Sequence, residues 1–151
     1  MKILVCSDSH GETGLLDKLF YENQDCSLFL HCGDIGLPGY LTKRFLVVKG
    51  NCDYFNYPRK RDIPTKWGTI HMEHGDTYQA RDEKYIESLG CFIYLFGHTH
   101  RKEHGYDGKT YAFNPGSLTR PRDGNKGSYL ILNIDDDTGK LTFKYHEVNI
   151  C

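Results

Sequence analysis

Three short apolar runs in the first third of the chain each end in a cluster of polar side chains. The run KILVCSD at 2–8 is followed by a segment of helical periodicity at 11–23, and SLFLHCGD at 27–34 then repeats the pattern. RFLVVKGNCD at 44–53 ends in the same way. Apolar runs of this length, bounded by polar residues, are typical of strands buried on both faces. The order of strand, helix and strand predicts a βαβ beginning.

The middle of the chain predicts one more helix between further strands. We expect a loop at 58–68, a strand at 68–76 after a hairpin turn at Gly68, a helix at 79–89 and a strand at 91–97. The loop is expected because this segment is rich in basic residues and contains two prolines. The helix is expected to be charged and only weakly amphipathic.

The last third of the chain predicts short antiparallel strands. From His104 onward, an Asp-Gly pair at 107–108 and the segment DDDTG at 135–139 indicate turns between them. The fold class is therefore α/β with α+β character, built either on one mixed sheet or on two stacked sheets. We find no repeat, linker or low-complexity stretch that would divide the 151 residues, so a single domain over 1–151 is expected.

The composition argues against several classes of protein. The chain has 20 acidic and 19 basic residues and a net charge of -1, so no global charge attracts nucleic acid or a membrane surface. No apolar run approaches the ~20 residues of a membrane span, and Asp8 comes too early for a signal peptide, so we expect a cytoplasmic protein. The six cysteines form no C-x-x-C pair, which favours reduced thiols.

Residues that can bind a metal ion follow each predicted strand of the first hundred residues. Open α/β sheets bind ligands at the carboxyl ends of their strands, so these side chains are expected to lie close together. Each of these residues alone is more typical of a turn, a helix cap or a hydrogen-bonded histidine within a strand. Together they are better explained as a site, because all of them are expected at the same edge of the sheet. The predicted metal ligands are Asp8, His10, Asp34, Asn51, His74, His98 and His100.

Seven ligands are too many for one tetrahedral zinc ion, but they suit two adjacent divalent ions that share a carboxylate. Asp34 is the natural shared ligand, because it is the lone carboxylate at its strand end. The mixture of carboxylate, imidazole and amide groups favours manganese, with nickel, iron, cobalt or zinc as alternatives, whereas magnesium prefers more oxygen ligands.

The order and spacing of these motifs resemble a known family. The segments DSH, GD, GNCD, HG and GHTH resemble the calcineurin-like metallophosphoesterase superfamily, and NPGS at 114–117 is similar to its small prokaryotic YfcE-like branch. The resemblance implies a four-layer α-β-β-α sandwich, in which two mixed sheets are flanked by helices. It also implies that Asp34 joins two ligand sets, one with Asp8, His10 and His100 and the other with Asn51, His74 and His98.

The implied reaction is hydrolysis of a phosphodiester, or also of a phosphomonoester, by attack of a metal-activated hydroxide. Two divalent ions can generate that nucleophile and stabilise the attacking and leaving oxygens, without a covalent enzyme intermediate. We assign the catalytic roles to Asp34, Asn51 and His98.

The chain departs from the family's motifs at two positions. Many members carry a histidine where this chain has Cys52, although the branch it resembles shares the cysteine. A thiol is a poor general acid near cations, so leaving groups that depart with little help should be favoured. Asp76 stands where the branch often has a second histidine, and its charge would disfavour highly anionic substrates.

Several residues beyond the metal ligands are candidates for substrate binding. Arg120 and Arg122 could clamp a phosphate oxygen, although a solvated loop is the alternative, and Cys52 is a further candidate contact. Three aromatic residues after GNCD could line a rim for a nucleobase or an aryl group, with core packing as the alternative: Tyr54, Phe55 and Tyr57.

The expected partner is a small organic phosphate, with a nucleotide as one option, and a homo-oligomer is left open. No membrane partner is expected, and a nuclease is disfavoured because the sequence offers no basic stripe. A different class is a non-catalytic, metal-binding scaffold, since the retromer scaffold subunit resembles this family. That subunit has lost the histidine of the first motif, whereas this chain keeps His10, which favours an enzyme.

Overall fold

The computed structural model describes residues 1–42, 44–124 and 126–148, which form ten strands and two α-helices. The helices are α1 (Thr13–Glu22) and α2 (Glu83–Leu89), and short 3-10 helices cover Gly39–Leu41 and Gln79–Arg81. The strands are β1 (Lys2–Cys6), β2 (Leu28–His31), β3 (Leu46–Val47), β4 (Lys60–Thr65), β5 (Gly68–Glu73), β6 (Ile93–Leu95), β7 (Lys102–Tyr106), β8 (Tyr111–Pro115), β9 (Gly127–Ile134) and β10 (Leu141–Val148).

The strands form two mixed sheets of five strands each. Sheet 1 has the order β10-β9-β1-β2-β3, and sheet 2 has the order β4-β5-β6-β8-β7. In sheet 1, β1, β2 and β3 run parallel while β9 and β10 pair antiparallel. In sheet 2, β5, β6 and β8 run parallel while β4 and β7 pair antiparallel at the two edges. The predicted mixed sheets are confirmed, and of the two arrangements left open, two stacked sheets are present.

The alternation of side chains along each strand explains the four layers. On β1, Ile3 and Val5 belong to the central core between the sheets, whereas Leu4 and Cys6 face the opposite side and pack under α1. Sheet 2 contributes buried residues such as Met72 to the same central core. Each fully buried aliphatic side chain contributes about 1.5–3 kcal/mol. On the outer face of sheet 2, α2 covers a separate cluster, so the expected α-β-β-α sandwich is confirmed.

Two local predictions were wrong, and a third was too long. The segment expected to be a loop at 58–68 contains β4, which tolerates Pro64 because it is an edge strand whose outer side needs no backbone donor. The helix expected over 79–89 is two helices, broken at Asp82, which has an extended backbone and whose side chain accepts a hydrogen bond from the Lys84 amide. The predicted third strand is present as β3, but it covers only Leu46 and Val47.

Two further expectations concern the whole chain. Within the described residues, no helix has the length and apolar character needed to cross a membrane. The five cysteines that the structure describes are free thiols, and four of them are buried, as the reduced state predicts. Cys151 lies outside the described residues.

Candidate metal centre

All the predicted ligands lie at the carboxyl ends of strands from both sheets. Asp8 and His10 follow β1, Asp34 follows β2, and Asn51 follows the short β3 in sheet 1. His74 follows β5, and the pair His98 and His100 follows β6 in sheet 2. Because parallel strands end at a common edge and the sheets are stacked, the ligands gather where the two edges meet.

The structure brings these side chains into two groups that share Asp8. One group consists of Asp8, His10 and His100, and the other of Asp8, Asp34 and His74. His100 Nε2 lies 3.3 Å from Asp8 Oδ1, and His74 Nε2 lies 3.8 Å from the same oxygen. His74 Nε2 is also 3.3 Å from Asp34 Oδ2. In each group the candidate donor atoms lie within 4.8 Å of one another, the spacing of ligands around one ion.

The remaining two predicted ligands lie side by side next to these groups. His98 Nδ1 is 3.2 Å from Asn51 Oδ1, and the His98 ring centroid is 5.2 Å from that of His74. The backbone N–H of His98 also donates to Asp8 Oδ2 over 3.1 Å. The role of Asp34 as the shared carboxylate stays a prediction, because the carboxylate common to both groups in this structure is Asp8.

The backbone is unusual at these positions. Among the described residues, the non-glycine residues with positive φ are all predicted ligands, with φ between 47° and 71°. They are Asp8, His10, Asp34, His98 and His100. A non-glycine residue in the left-handed region costs of order 1–3 kcal/mol and persists only where the surroundings enforce it. The strain is therefore concentrated where each strand turns its ligand towards the shared edge.

Three atoms of the centre that could bind a metal ion lack hydrogen-bond partners. Within the part of the chain that the structure describes, four buried side-chain atoms have no partner, and three of them are Asp8 Oδ1, His10 Nε2 and His74 Nε2. The 3.3 Å approach of His74 Nε2 to Asp34 does not have hydrogen-bond geometry. An unpaired buried polar atom costs about 1–3 kcal/mol. A carboxylate oxygen and two imidazole nitrogens left free in this way fit divalent cations as ligands.

Backbone carbonyl groups orient two of the imidazoles. Nδ1 of His74 is 2.7 Å from the carbonyl oxygen of Cys32, and Nδ1 of His100 is 2.7 Å from that of Arg120. A carbonyl only accepts hydrogen bonds, so Nδ1 carries the proton in both rings and Nε2 is the atom free to bind a metal. Partners of this kind fix the tautomer and orientation of metal-binding histidines.

The pKa values show how the carboxylates act on the histidines. Burial disfavours the charged form of His74, but the carboxylates of Asp34 and Asp8 outweigh it and raise the pKa of His74 to about 9. Burial and the charge of Arg120 lower the pKa of His10, and burial also lowers the pKa of His98. Burial raises the pKa of Asp34, but the interactions with His74 outweigh it and hold that pKa well below its usual range. A metal must displace the His74 proton below pH 9, so its affinity should rise with pH.

Asp53 is a supporting residue that the sequence analysis missed. It is 8% exposed, and its Oδ2 accepts from the backbone N–H groups of Asp34 at 2.9 Å and Gly50 at 2.8 Å. Its Oδ1 accepts from the N–H of Gly36 at 2.9 Å. One carboxylate thus joins the loop that carries Asp34 to the loop that carries Asn51. An acid directly after the GNC triplet is the only sequence feature that indicates this role.

The NPGS segment is a second missed support. Asn114 Nδ2 donates to the Gly97 carbonyl at 3.0 Å and to Thr99 Oγ1 at 3.0 Å, which holds the loop between His98 and His100. The Ser117 hydroxyl donates to the carbonyl of Asp8 at 2.8 Å. Both side chains are fully buried, so this motif supports the backbone next to predicted metal ligands and is not exposed to a substrate.

An open cleft of about 470 Å³ gives access to the centre. The three predicted substrate contacts, Cys52, Arg120 and Arg122, all line it. The N–H of Arg122 donates to the His100 carbonyl at 2.9 Å, so both arginines are tied to this ligand by the backbone. Their role in binding stays a prediction.

The predicted aromatic rim is divided by the structure. Tyr57 is held under the surface by a 2.6 Å hydrogen bond from its hydroxyl to the Leu37 carbonyl. Tyr54 and Phe55 are exposed. Core packing therefore explains Tyr57, and the other two rings are free to contact a ligand.

Two stacked mixed sheets with carboxylates and imidazoles at their joint edge are typical of metal-dependent phosphoesterases. The family model described as the calcineurin-like phosphoesterase superfamily domain matches residues 1–137. The chain belongs to this superfamily, which confirms the resemblance drawn from its motifs.

Relatives and solved structures agree with this assignment. The chain is 31% identical over 149 residues to a probable metallophosphoesterase of Methanocaldococcus jannaschii, covering 90% of this chain and 77% of that protein. It is 24% identical over 169 residues to the phosphodiesterase YfcE of Escherichia coli, covering 89% of each. A predicted phosphoesterase from Streptococcus pneumoniae superposes with a TM-score of 0.83 at 25% identity, covering 97% of both chains. Vps29 of Entamoeba histolytica complexed with Zn²⁺ superposes at 0.73 and 22% identity, covering 97% of this chain and 99% of that one.

Proposed function

We propose that this protein is a phosphodiesterase that depends on two divalent metal ions and acts on a small organic phosphate, with phosphomonoesters as secondary substrates. The observation that carries the proposal is the pair of acid and histidine groups that share Asp8, in which three buried atoms, one each on Asp8, His10 and His74, have no hydrogen-bond partner among the described residues. A buried cluster of this kind is unfavourable unless cations neutralise it. The membership of the chain in a phosphoesterase superfamily supports hydrolysis of a phosphoester as the reaction.

The ligand assignment proposed here follows the two groups. Asp8, His10 and His100 would hold one ion, and Asp8, Asp34 and His74 would hold the other, with Asn51 and His98 completing the ligands of the second ion. When bound, two divalent ions supply a nucleophile by lowering the pKa of a coordinated water, and they stabilise charge on the phosphate oxygens. Asp34, Asn51 and His98 are the proposed catalytic residues, because all three line the cleft in which the phosphate would bind.

Cys52 and the two arginines would determine which leaving groups are preferred and how the phosphate is bound. Without metal, burial and the Asp34 carboxylate raise the pKa of the Cys52 thiol, whereas two bound cations would lower that pKa and favour the thiolate, which cannot donate a proton. Esters with good leaving groups, such as aryl phosphates, should therefore react fastest. Arg120 and Arg122 would bind phosphate oxygens through their planar guanidinium groups.

The donor set also bears on the choice of metal. Imidazole and carboxylate together suit manganese, iron, cobalt, nickel or zinc better than magnesium. We propose manganese as the activating ion, and the zinc complex of the structurally similar Vps29 keeps zinc as an alternative.

The test is hydrolysis of bis(p-nitrophenyl) phosphate and p-nitrophenyl phosphate by metal-stripped protein, with manganese, nickel, zinc or magnesium restored separately. Asp34→Asn and His98→Ala should abolish turnover without unfolding the protein, since both residues lie outside the cores. His104→Ala, on the exposed edge strand β7, is the matched control and should keep full activity.

Two outcomes would contradict the proposal. Full activity in either ligand variant would refute the two-metal assignment. Tight manganese binding without turnover of any ester would favour the non-catalytic scaffold as the function, even though this chain keeps His10.

A further inference from the structure

A second groove is lined by none of the predicted metal ligands. Its volume is about 580 Å³, and its lining residues are Tyr78, Arg81, Asp82, Glu83 and Lys84. The segment comes from the loop after His74 and from the start of α2. It combines an aromatic ring, two cations and two carboxylates within seven residues.

Backbone contacts place this segment next to His98. The Gly97 N–H donates to the His74 carbonyl at 2.8 Å, so the chain leaving β5 runs beside the turn that carries His98. A Cβ atom on Gly75 would lie 3.4 Å from the Gly97 carbonyl, which shows how closely the two turns pack. Tyr78, the first residue that lines the groove, therefore comes three residues after a turn that packs against the turn carrying His98.

The segment is held in a fixed conformation. The Ala80 N–H donates to Thr77 Oγ1 at 3.1 Å, and the Tyr94 hydroxyl donates to the Ala80 carbonyl at 2.6 Å. Asp76 pairs with Arg59 at 3.7 Å. Yet the Tyr78 ring between these anchors is 93% exposed. An aromatic ring presented to solvent from a rigid frame can stack on a ligand with little loss of conformational entropy.

The charges of the groove define what it can bind. The two carboxylates, Asp82 and Glu83, balance the two cations, Arg81 and Lys84, so the net charge of the groove favours neither an anion nor a cation. A neutral aromatic ring with donors and acceptors on its edge suits the combination, because it can stack on Tyr78 and hydrogen-bond to both kinds of charged group. A nucleobase has this chemistry.

We propose that the Tyr78 groove is a base subsite, which binds the nucleobase of a nucleotide ester whose phosphate lies at the metal centre. This inference rests on the proposed function, because the metal centre must bind the phosphate. It adds that the substrate class is a nucleotide and that Tyr78 determines specificity.

Binding tests the subsite without requiring turnover. Isothermal titration of the full chain loaded with manganese would compare adenosine 5′-monophosphate with ribose 5-phosphate, which lacks only the base. We expect the wild type to bind the nucleotide more tightly, and Tyr78→Ala to lose about tenfold in nucleotide affinity, the effect of one lost base stack. The affinity for ribose 5-phosphate should not change.

Two variants serve as controls. Tyr78→Phe keeps the ring and should bind the nucleotide within about twofold of the wild type. Tyr40→Ala removes an exposed tyrosine from a different groove, beside α1, and should have no effect. Equal affinity of the wild type for the two ligands, or unchanged nucleotide affinity in Tyr78→Ala, would overturn the subsite. Tyr78-dependent binding without hydrolysis of any ester would confirm the subsite while refuting the proposed function.

Discussion

Replacing Asp53 should destabilise the loops that carry Asp34 and Asn51 without removing a predicted metal ligand. Its carboxylate accepts three backbone hydrogen bonds, from Asp34, Gly36 and Gly50, at 2.8–2.9 Å. A hydrogen bond to a charged group contributes about 1.5–3 kcal/mol, so full loss of three sets an upper bound of about 5–9 kcal/mol. Because the two loops can relax and admit water, we expect Asp53→Ala to lower the free energy of unfolding by about 3–5 kcal/mol.

The asparagine variant makes the prediction sharper. Asp34 and Gly50 both donate to Oδ2, while Gly36 donates to Oδ1. An asparagine oriented with its oxygen in the Oδ2 position keeps two of the three bonds and turns its amide towards the third donor. Asp53→Asn should therefore lose about 1–3 kcal/mol, the cost of one unpaired N–H.

Urea unfolding of the metal-free variants gives these energies, and calorimetric titration with manganese gives the effect on the centre. Manganese should bind more weakly to Asp53→Ala, because the loops that carry Asp34 and Asn51 are no longer joined. Asp135→Ala is the matched control, since Asp135 also accepts two backbone hydrogen bonds, at 2.9 Å each, but in an exposed hairpin. A loss below about 1 kcal/mol in Asp53→Ala, no larger than in the control, would refute the reasoning.

Three further predictions follow from the same structure. Gly97→Ala should lose manganese binding, because its Cβ would lie 2.1 Å from Ser7 Oγ and 2.8 Å from Asp8 Oδ2, whereas Gly105→Ala meets nothing within 4 Å and should bind normally. Cys52→Ala should cost less than about tenfold in kcat/KM, since loss of a general acid would cost 100-fold or more. Burial lowers the pKa of His71, but Glu73 and Asp62 outweigh it and raise that pKa above 6.5. The stabilisation by His71 is therefore complete below that value and is lost as pH rises through the folded-state pKa, so the unfolding free energy should fall more in the wild type than in His71→Gln between about pH 5.5 and 8.5.

The sequence predicted the strands of the central core well, and β4 poorly, for a physical reason. The runs that became β1 and β6 are apolar on both faces, so burial alone indicates them. The β4 segment has one half-buried side and one exposed side, carries charged residues and contains Pro64, all of which are compatible with an edge strand but typical of a loop. Only its pairing with β5 decides between these structures.

The proximity of the predicted ligands could be foreseen, because the parallel strands of a sheet end at one edge. Which ligands would form each group was harder to predict from the sequence, because the grouping depends on how the backbone turns after each strand. Asp8 adopts a φ of 54°, which directs one oxygen between His74 and His100. The role of Asp53 could not be predicted either, because its three donors belong to two loops that meet only in the folded chain.

The most direct test of the two-metal centre is a crystal structure of the protein soaked in manganese, with anomalous scattering recorded at the manganese absorption edge. We predict two anomalous peaks, one beside Asp8, His10 and His100 and the other beside Asp34 and His74. Asp8→Asn should weaken both peaks, because Asp8 belongs to both ligand groups. A single peak at full occupancy, or none beside these residues, would contradict the account.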